Sequence, residues 1–174
     1  MLTQPHDVVK QLPVHDGDTV IDCGAGVSAY AIALANSVGT LGHVYAYDIQ
    51  PGLVDTLAKE AKEAGVQQIT ALTVDLEHGI IPLKDAVAHG ALLAHTLFQI
   101  GDKRHVIAEI ARVLRPGGWL AIVEWRDSFQ GIGPQLDYIV PEEQVHTLCD
   151  DAGLLYSAPL AVGSFQYGAL FHKL

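Results

Sequence analysis

The tightest constraint on the fold is a β-branched run that stops at two closely spaced glycines and restarts as a helix. Thr19-Val20-Ile21 leads into Asp22-Cys23-Gly24-Ala25-Gly26-Val27-Ser28, and Ala29-Tyr30-Ala31-Ile32-Ala33-Leu34-Ala35 follows at once. A short apolar run bounded by glycine, then a longer alanine-rich segment, reads as strand, tight turn, helix. Glycine lets the chain turn sharply and lets a ligand approach the backbone, while free N–H groups at a helix start carry partial positive charge. The turn therefore predicts a binding corner, and Ser28, small enough for it, is a candidate cap of the helix.

The same unit recurs along the chain. Gly42 to Tyr47 predicts a second strand ending at Asp48, and Pro51 opens a helix that runs through Leu53, Leu57 and Ala61 to Gly65. Ile69 to Val74 predicts a third strand ending at Asp75, and Gly90 to Ala94 a fourth. A helix from about Asp102 to Leu114 places Val106, Ile110 and Val113 on one face before Arg115-Pro116-Gly117-Gly118 breaks it. Trp119 to Val123 is then a fifth strand, ending at Glu124. Alternating β and α elements imply a parallel sheet with helices on both faces, and ligands in such sheets sit beyond the carboxyl ends of the strands. Asp22, Asp48, Asp75 and Glu124 all fall at that edge. Each alone can equally be a helix cap or a solvated loop residue.

The acids discriminate between ligands. A dinucleotide places its pyrophosphate at the glycine turn, where the Asp22 carboxylate would repel it. S-adenosylmethionine carries no phosphate; its ammonium, sulfonium and ribose hydroxyls suit carboxylates. Asp48 stands 22 residues beyond Gly26, close to the ~20 expected of a ribose-binding acid on the second strand. Asp75 is placed to accept from an adenine amino group, and Asp22 to hold the methionine end directly or through water. Gly24-x-Gly26-x-x-Ala29 also satisfies the looser dinucleotide pattern, so an NAD(P)-dependent oxidoreductase is the rival on glycine spacing alone.

The segments VIDCGAGVS, YAYDI and TVDLE, with Glu109-Ile110-Ala111-Arg112-Val113-Leu114-Arg115-Pro116-Gly117-Gly118-Trp119, together resemble the class I S-adenosylmethionine-dependent methyltransferases. The helix, turn and strand of the last segment look like those of the type 11 and ubiquinone/menaquinone-biosynthesis-like branches. The resemblance implies an α/β, Rossmann-like methyltransferase fold, with a seven-stranded, mostly parallel sheet whose last strand is antiparallel. Leu154 to Leu160 and Phe165 to His172 fit two closing strands joined near Gly163-Ser164. The cofactor site it implies comprises Asp22, Gly24, Ala25, Gly26, Asp48, Ile49, Asp75, Leu76 and Ala94, with S-adenosyl-L-methionine bound and S-adenosyl-L-homocysteine as product. The departure is Ser28, where a third glycine is common.

Methyl transfer gains much of its rate from alignment and exclusion of water. A base is needed only for an acceptor that must lose a proton, and His95, just after the fourth strand, is the candidate, with a structural histidine as the alternative. His78 and His89 are weaker candidates. Phe98, Glu124, Trp125 and Phe129, with Tyr138, are candidates for the acceptor pocket or for packing the loop onto the sheet. Residues 1–18 and 126–140 are available as a lid on a single domain spanning 1–174. Tyr30 reads as core.

Composition bounds the partners. A net charge of −10 opposes binding to nucleic acid, and no apolar run is long enough to span a bilayer. The N-terminus lacks the basic start and apolar stretch of a signal peptide, so a cytoplasmic location is expected. Cys23 and Cys149 show no metal-ligand spacing and read as reduced and structural, and the scattered histidines give no metal site. The expected acceptor is a small, partly apolar molecule, and a homodimer is possible if a neighbouring subunit completes the short lid. A non-catalytic S-adenosylmethionine-binding or scaffolding protein of the same fold is the other alternative.

Overall fold

The computed structural model describes residues 3–128 and 131–174. The chain runs α1 (Pro5–Val9), β1 (Thr19–Cys23), α2 (Ala29–Val38), β2 (His43–Asp48), α3 (Pro51–Glu63), β3 (Ile69–Thr73), β4 (Ala88–Ala94), α4 (Lys103–Val113), β5 (Leu114–Trp125), α5 (Glu142–Asp151), β6 (Leu154–Pro159) and β7 (Gln166–Lys173). One seven-stranded sheet has the order β3-β2-β1-β4-β5-β7-β6. The pairings from β3 across to β5 are parallel, whereas β7 runs antiparallel to both β5 and β6. This is the expected sheet, closed by an antiparallel last strand.

Alternation along the strands feeds two cores. Ile21, Leu93, Leu120 and Ile122 pack with Ile107 and Ile110 of α4 and Cys149 of α5. Their neighbours Val20, Val44, Leu92 and Ala121 face the other way, onto Val8 of α1 and Leu34 and Val38 of α2. Leu57 of α3 joins this second face through Ala31 and Ala46. Near-continuous apolar strands are what a sheet covered on both sides requires. Both cysteines are free and buried.

Several local expectations change. Ser28 does not cap α2; its hydroxyl bonds Glu60, tying the start of α2 to α3. The described part of the N-terminal segment, residues 3–18, is docked on the sheet and α2 rather than placed as a lid, with Val8, Val9 and Leu12 buried there. The break at Arg115-Pro116-Gly117-Gly118 lies within β5 as a bulge: Ala88 pairs Leu114 and Gly90 pairs Trp119, with Gly117 at φ 73° absorbing the extra length. Asp102 is the N-cap of α4, accepting from His105 N–H at 3.0 Å. Helix α5 has no counterpart among the expected elements, although Val145, Leu148 and Cys149 are buried at helical spacing.

Strand β1 is the switch point. Its connections leave toward β2 on one side, and β4 flanks it on the other, so a crevice opens beyond the carboxyl ends of β1 and β4.

Candidate cofactor site

A cavity of about 480 Å³ occupies that crevice. Gly24, Ala25 and Gly26 line it from the turn after β1, Asp48 and Ile49 from the end of β2, and Asp75 and Leu76 from the end of β3. Ala94 and His95 line it from the end of β4. The strand ends thus bring nine of the residues singled out in the sequence to one cavity.

The glycine turn is held by its own amides. Gly24 N–H and Ala25 N–H both donate to the Tyr47 carbonyl at 2.8 Å, and Gly26 N–H donates to Asp48 Oδ2 at 2.9 Å. These three donors are already used. Gly24 sits at φ 76°, and a Cβ there would collide with the Thr96 hydroxyl, so the position requires glycine both for conformation and for space. Asp48 accepts from Gln50 N–H through Oδ1 at 2.9 Å, which fixes its carboxylate while each oxygen keeps a further lone pair.

The other acids differ sharply in environment. Asp22 is only 1% exposed and lies behind the turn rather than in the cavity wall, and its Oδ2 has no hydrogen-bond partner among the described residues. Burial first, and the nearby Asp48 charge second, push its pKa from 3.8 up to about 7. Asp75 Oδ1 accepts from the N–H groups of Glu77 and His78 at 2.9 and 3.1 Å, and Oδ2 lies 3.1 Å from His78 Nδ1. The His78 backbone bond leads in holding Asp75 below the usual carboxylate range. Much of its hydrogen-bonding capacity therefore goes to its own loop.

Two acceptor-pocket expectations are corrected, those for Glu124 and Trp125. Glu124 is fully buried: Oε1 accepts from Thr96 and Leu97 N–H at 2.7 and 2.6 Å, pinning the loop after β4 from beneath. Burial raises its pKa to about 7 against the lowering effect of those amides. Trp125 is also buried and does not line the cavity; its ring packs on His95 at 4.9 Å between centroids. Phe98 faces a separate cavity of about 390 Å³, shared with Tyr138. Phe129 lies outside the described residues.

His95 is on the cavity wall, in a setting that favours its neutral ring. Its Nε2 lies 2.6 Å from Gln166 Nε2, and burial lowers its pKa to about 4. Its backbone is at φ 53°, held by a 2.7 Å bond from its N–H to the Val123 carbonyl. His78 also lines the cavity, whereas His89 sits at the opposite edge, where Nδ1 accepts from Thr19 N–H at 3.0 Å.

The sequence reading missed Thr96, and it assigned Tyr30 to the core although Tyr30 lines the cavity. Tyr30 follows the glycine turn by one helical turn, a spacing that could have revealed it; Thr96 has only its place after β4. No lysine or arginine lines the cavity, no group of metal-binding side chains occurs among the described residues, and no helix among them is long and apolar enough to cross a membrane.

Comparison with known proteins matches this arrangement. A family model described as a methyltransferase domain matches residues 21–122. A demethylmenaquinone methyltransferase of Anoxybacillus flavithermus is 30% identical over 121 residues, which cover 68% of this chain and 49% of that protein. The chain thus spans about half the length of the curated relatives it matches. A SAM-dependent methyltransferase from Aquifex aeolicus superposes with a TM-score of 0.88 at 27% identity, covering 98% of this chain and 89% of that one. The cyclase SpnF shares the fold with a TM-score of 0.83 at 18% identity, covering 97% and 79% of the two chains.

Proposed function

The chain belongs to the methyltransferase-domain family of class I S-adenosylmethionine-dependent methyltransferases, and from that premise we propose that it transfers the methyl group of S-adenosylmethionine to a small, partly apolar acceptor. One observation carries the reading: the cavity at the switch point is lined by carboxylates and, among the described residues, by no lysine or arginine, and the Gly24, Ala25 and Gly26 amides of its turn already have acceptors. A pyrophosphate needs the reverse, free N–H groups and positive charge. A ligand with an ammonium, a sulfonium and hydroxyl donors fits what is present.

The residues divide the ligand between them. Asp48, fixed by Gly26 and Gln50, accepts from the ribose hydroxyls with its remaining lone pairs. Ile49, Leu76 and Ala94 supply apolar walls for the adenine, and Asp75 lies within the same wall for its amino group. Asp22 acts through its charge: its orphaned oxygen in a dry setting favours a cation nearby. The cofactor supplies an electrophilic methyl group on a positively charged sulfur. What the chain contributes is alignment, through the rigid turn, and exclusion of water.

The acceptor is a small molecule with an apolar part, since Val27, Leu53 and Val74 add apolar surface to the cavity. The A. flavithermus relative is a demethylmenaquinone methyltransferase, so quinone-class molecules are the first acceptors to test. Titration calorimetry should show micromolar binding of S-adenosylmethionine and none of NAD(H). Binding of NAD(H) alone would overturn the reading. An acceptor screen read by S-adenosylhomocysteine release then tests transfer itself.

A further inference from the structure

Gln166 is a buried polar side chain that the proposed function leaves unused. It is 5% exposed and opens β7 opposite Trp125 of β5. Its amide is engaged at both ends: Oε1 accepts from the Thr3 backbone N–H at 3.3 Å, and Nε2 lies 2.6 Å from His95 Nε2. A backbone N–H can only donate, so Thr3 sets the orientation of the amide, with oxygen toward Thr3 and NH₂ toward His95. An amide NH₂ also can only donate. His95 Nε2 must then be the bare, accepting nitrogen, and the ring proton resides on Nδ1, which has no hydrogen-bond partner among the described residues.

The ring is also held in place. Trp125 packs against it at 4.9 Å, and the His95 backbone is bound to Val123. An imidazolium would place two donors face to face at the Gln166 contact, and the buried setting disfavours the charged ring as well.

We propose that Gln166 is a positioning residue that locks His95 as the neutral Nδ1–H tautomer, so that the cavity offers its methyl acceptor a hydrogen-bond donor instead of a base. The inference rests on the methyltransferase reading for the identity of the cavity's occupant, but the tautomer itself does not. It favours acceptors that carry an oxygen able to accept from Nδ1–H and that do not depend on His95 to take up a proton. The acceptor's electron pair forms the new bond to the methyl carbon, the sulfur keeps the pair of the bond that breaks, and His95 retains its proton throughout.

The test is nitrogen NMR of the histidine rings in the ligand-free protein, with the His95 signals identified by their loss in His95→Asn. The wild type should show His95 with Nδ1 protonated and Nε2 bare. Gln166→Glu replaces a donor by a carboxylate, which can only accept, so the proton should move to Nε2. Gln166→Met, which offers no donor, should release the ring into a mixture of the two tautomers. A wild-type ring protonated on Nε2, or a tautomer ratio unchanged in both variants, overturns the proposal. S-adenosylhomocysteine should bind Gln166→Met within about twofold of the wild type, since Gln166 does not line the cavity. Failure of all forms to bind it would count against the proposed function and leave the tautomer result standing.

Discussion

Replacing Asp22 by asparagine should stabilise the ligand-free protein, and the gain should depend on pH in a defined way. In the native state burial lifts the Asp22 pKa from 3.8 to about 7. At 1.36 kcal/mol per unit, this places an upper limit of about 4 kcal/mol on the cost of ionising it in the fold, and relaxation of the site reduces that to roughly 2–4 kcal/mol. The sign follows from proton counts. Between 3.8 and about 7 the native state still holds the proton that the unfolded chain has released, so wild-type stability falls as pH rises through this window and levels off above it. The asparagine variant carries no such charge, and the contribution of Glu124 is common to both proteins. The difference in unfolding free energy, from urea titrations at closely spaced pH values, should therefore be near zero around pH 4 and reach its plateau above about pH 7. Cofactor affinity should move the opposite way, with Asp22→Asn binding S-adenosylmethionine more weakly at pH 8. A stability difference that stays constant across the range would refute the claim that Asp22 is a buried acid without compensation.

Other substitutions probe the remaining parts of the site. Asp48→Ala should weaken S-adenosylmethionine binding by about 1–3 kcal/mol in calorimetry, through loss of charge-assisted acceptors; unchanged affinity would show that the ribose is held elsewhere. Gly24→Ala should lower stability by about 1–3 kcal/mol and abolish binding, because the residue would be forced into a left-handed conformation against Thr96; a protein that melts and binds like the wild type would show that the turn adapts. Glu124→Ala should cost about 3 kcal/mol in urea unfolding by leaving the Thr96 and Leu97 amides without an acceptor, while Glu124→Gln, which keeps a carbonyl oxygen there, should lose less.

The sheet and the cavity address were legible because both depend on local signals. Glycine spacing, strand-ending acids and the position of Pro51 each lie within a few residues of what they specify. Two helices escaped for different reasons. Helix α1 has only five residues, too few to display a period, and α5 follows a loop whose length gives no warning of it. The environment of His95 escaped because it depends on Gln166, 71 residues away, and that contact exists only in the antiparallel register of β5 and β7. A residue that looks like a base beside its strand becomes a hydrogen-bond partner once a distant strand supplies a donor.

The strand-ending acids separate what such a rule conveys from what it does not. Ending a parallel strand fixes where the backbone arrives; parity and neighbours decide where the carboxylate goes. Glu124 shares parity with Leu120 and Ile122, which face α4 and α5, so its side chain turns away from the α2 face. Asp22 shares parity with Val20, which packs on that face. Burial raises the pKa of both acids to about 7, yet Glu124 Oε1 accepts two backbone N–H bonds while Asp22 Oδ2 accepts none among the described residues. The first carboxylate is satisfied by the fold and serves to hold a loop. The second has no such partner, and under the proposed function a positive charge entering the cavity would compensate it, so that its cost in the ligand-free protein and its contribution to binding would be two consequences of one environment.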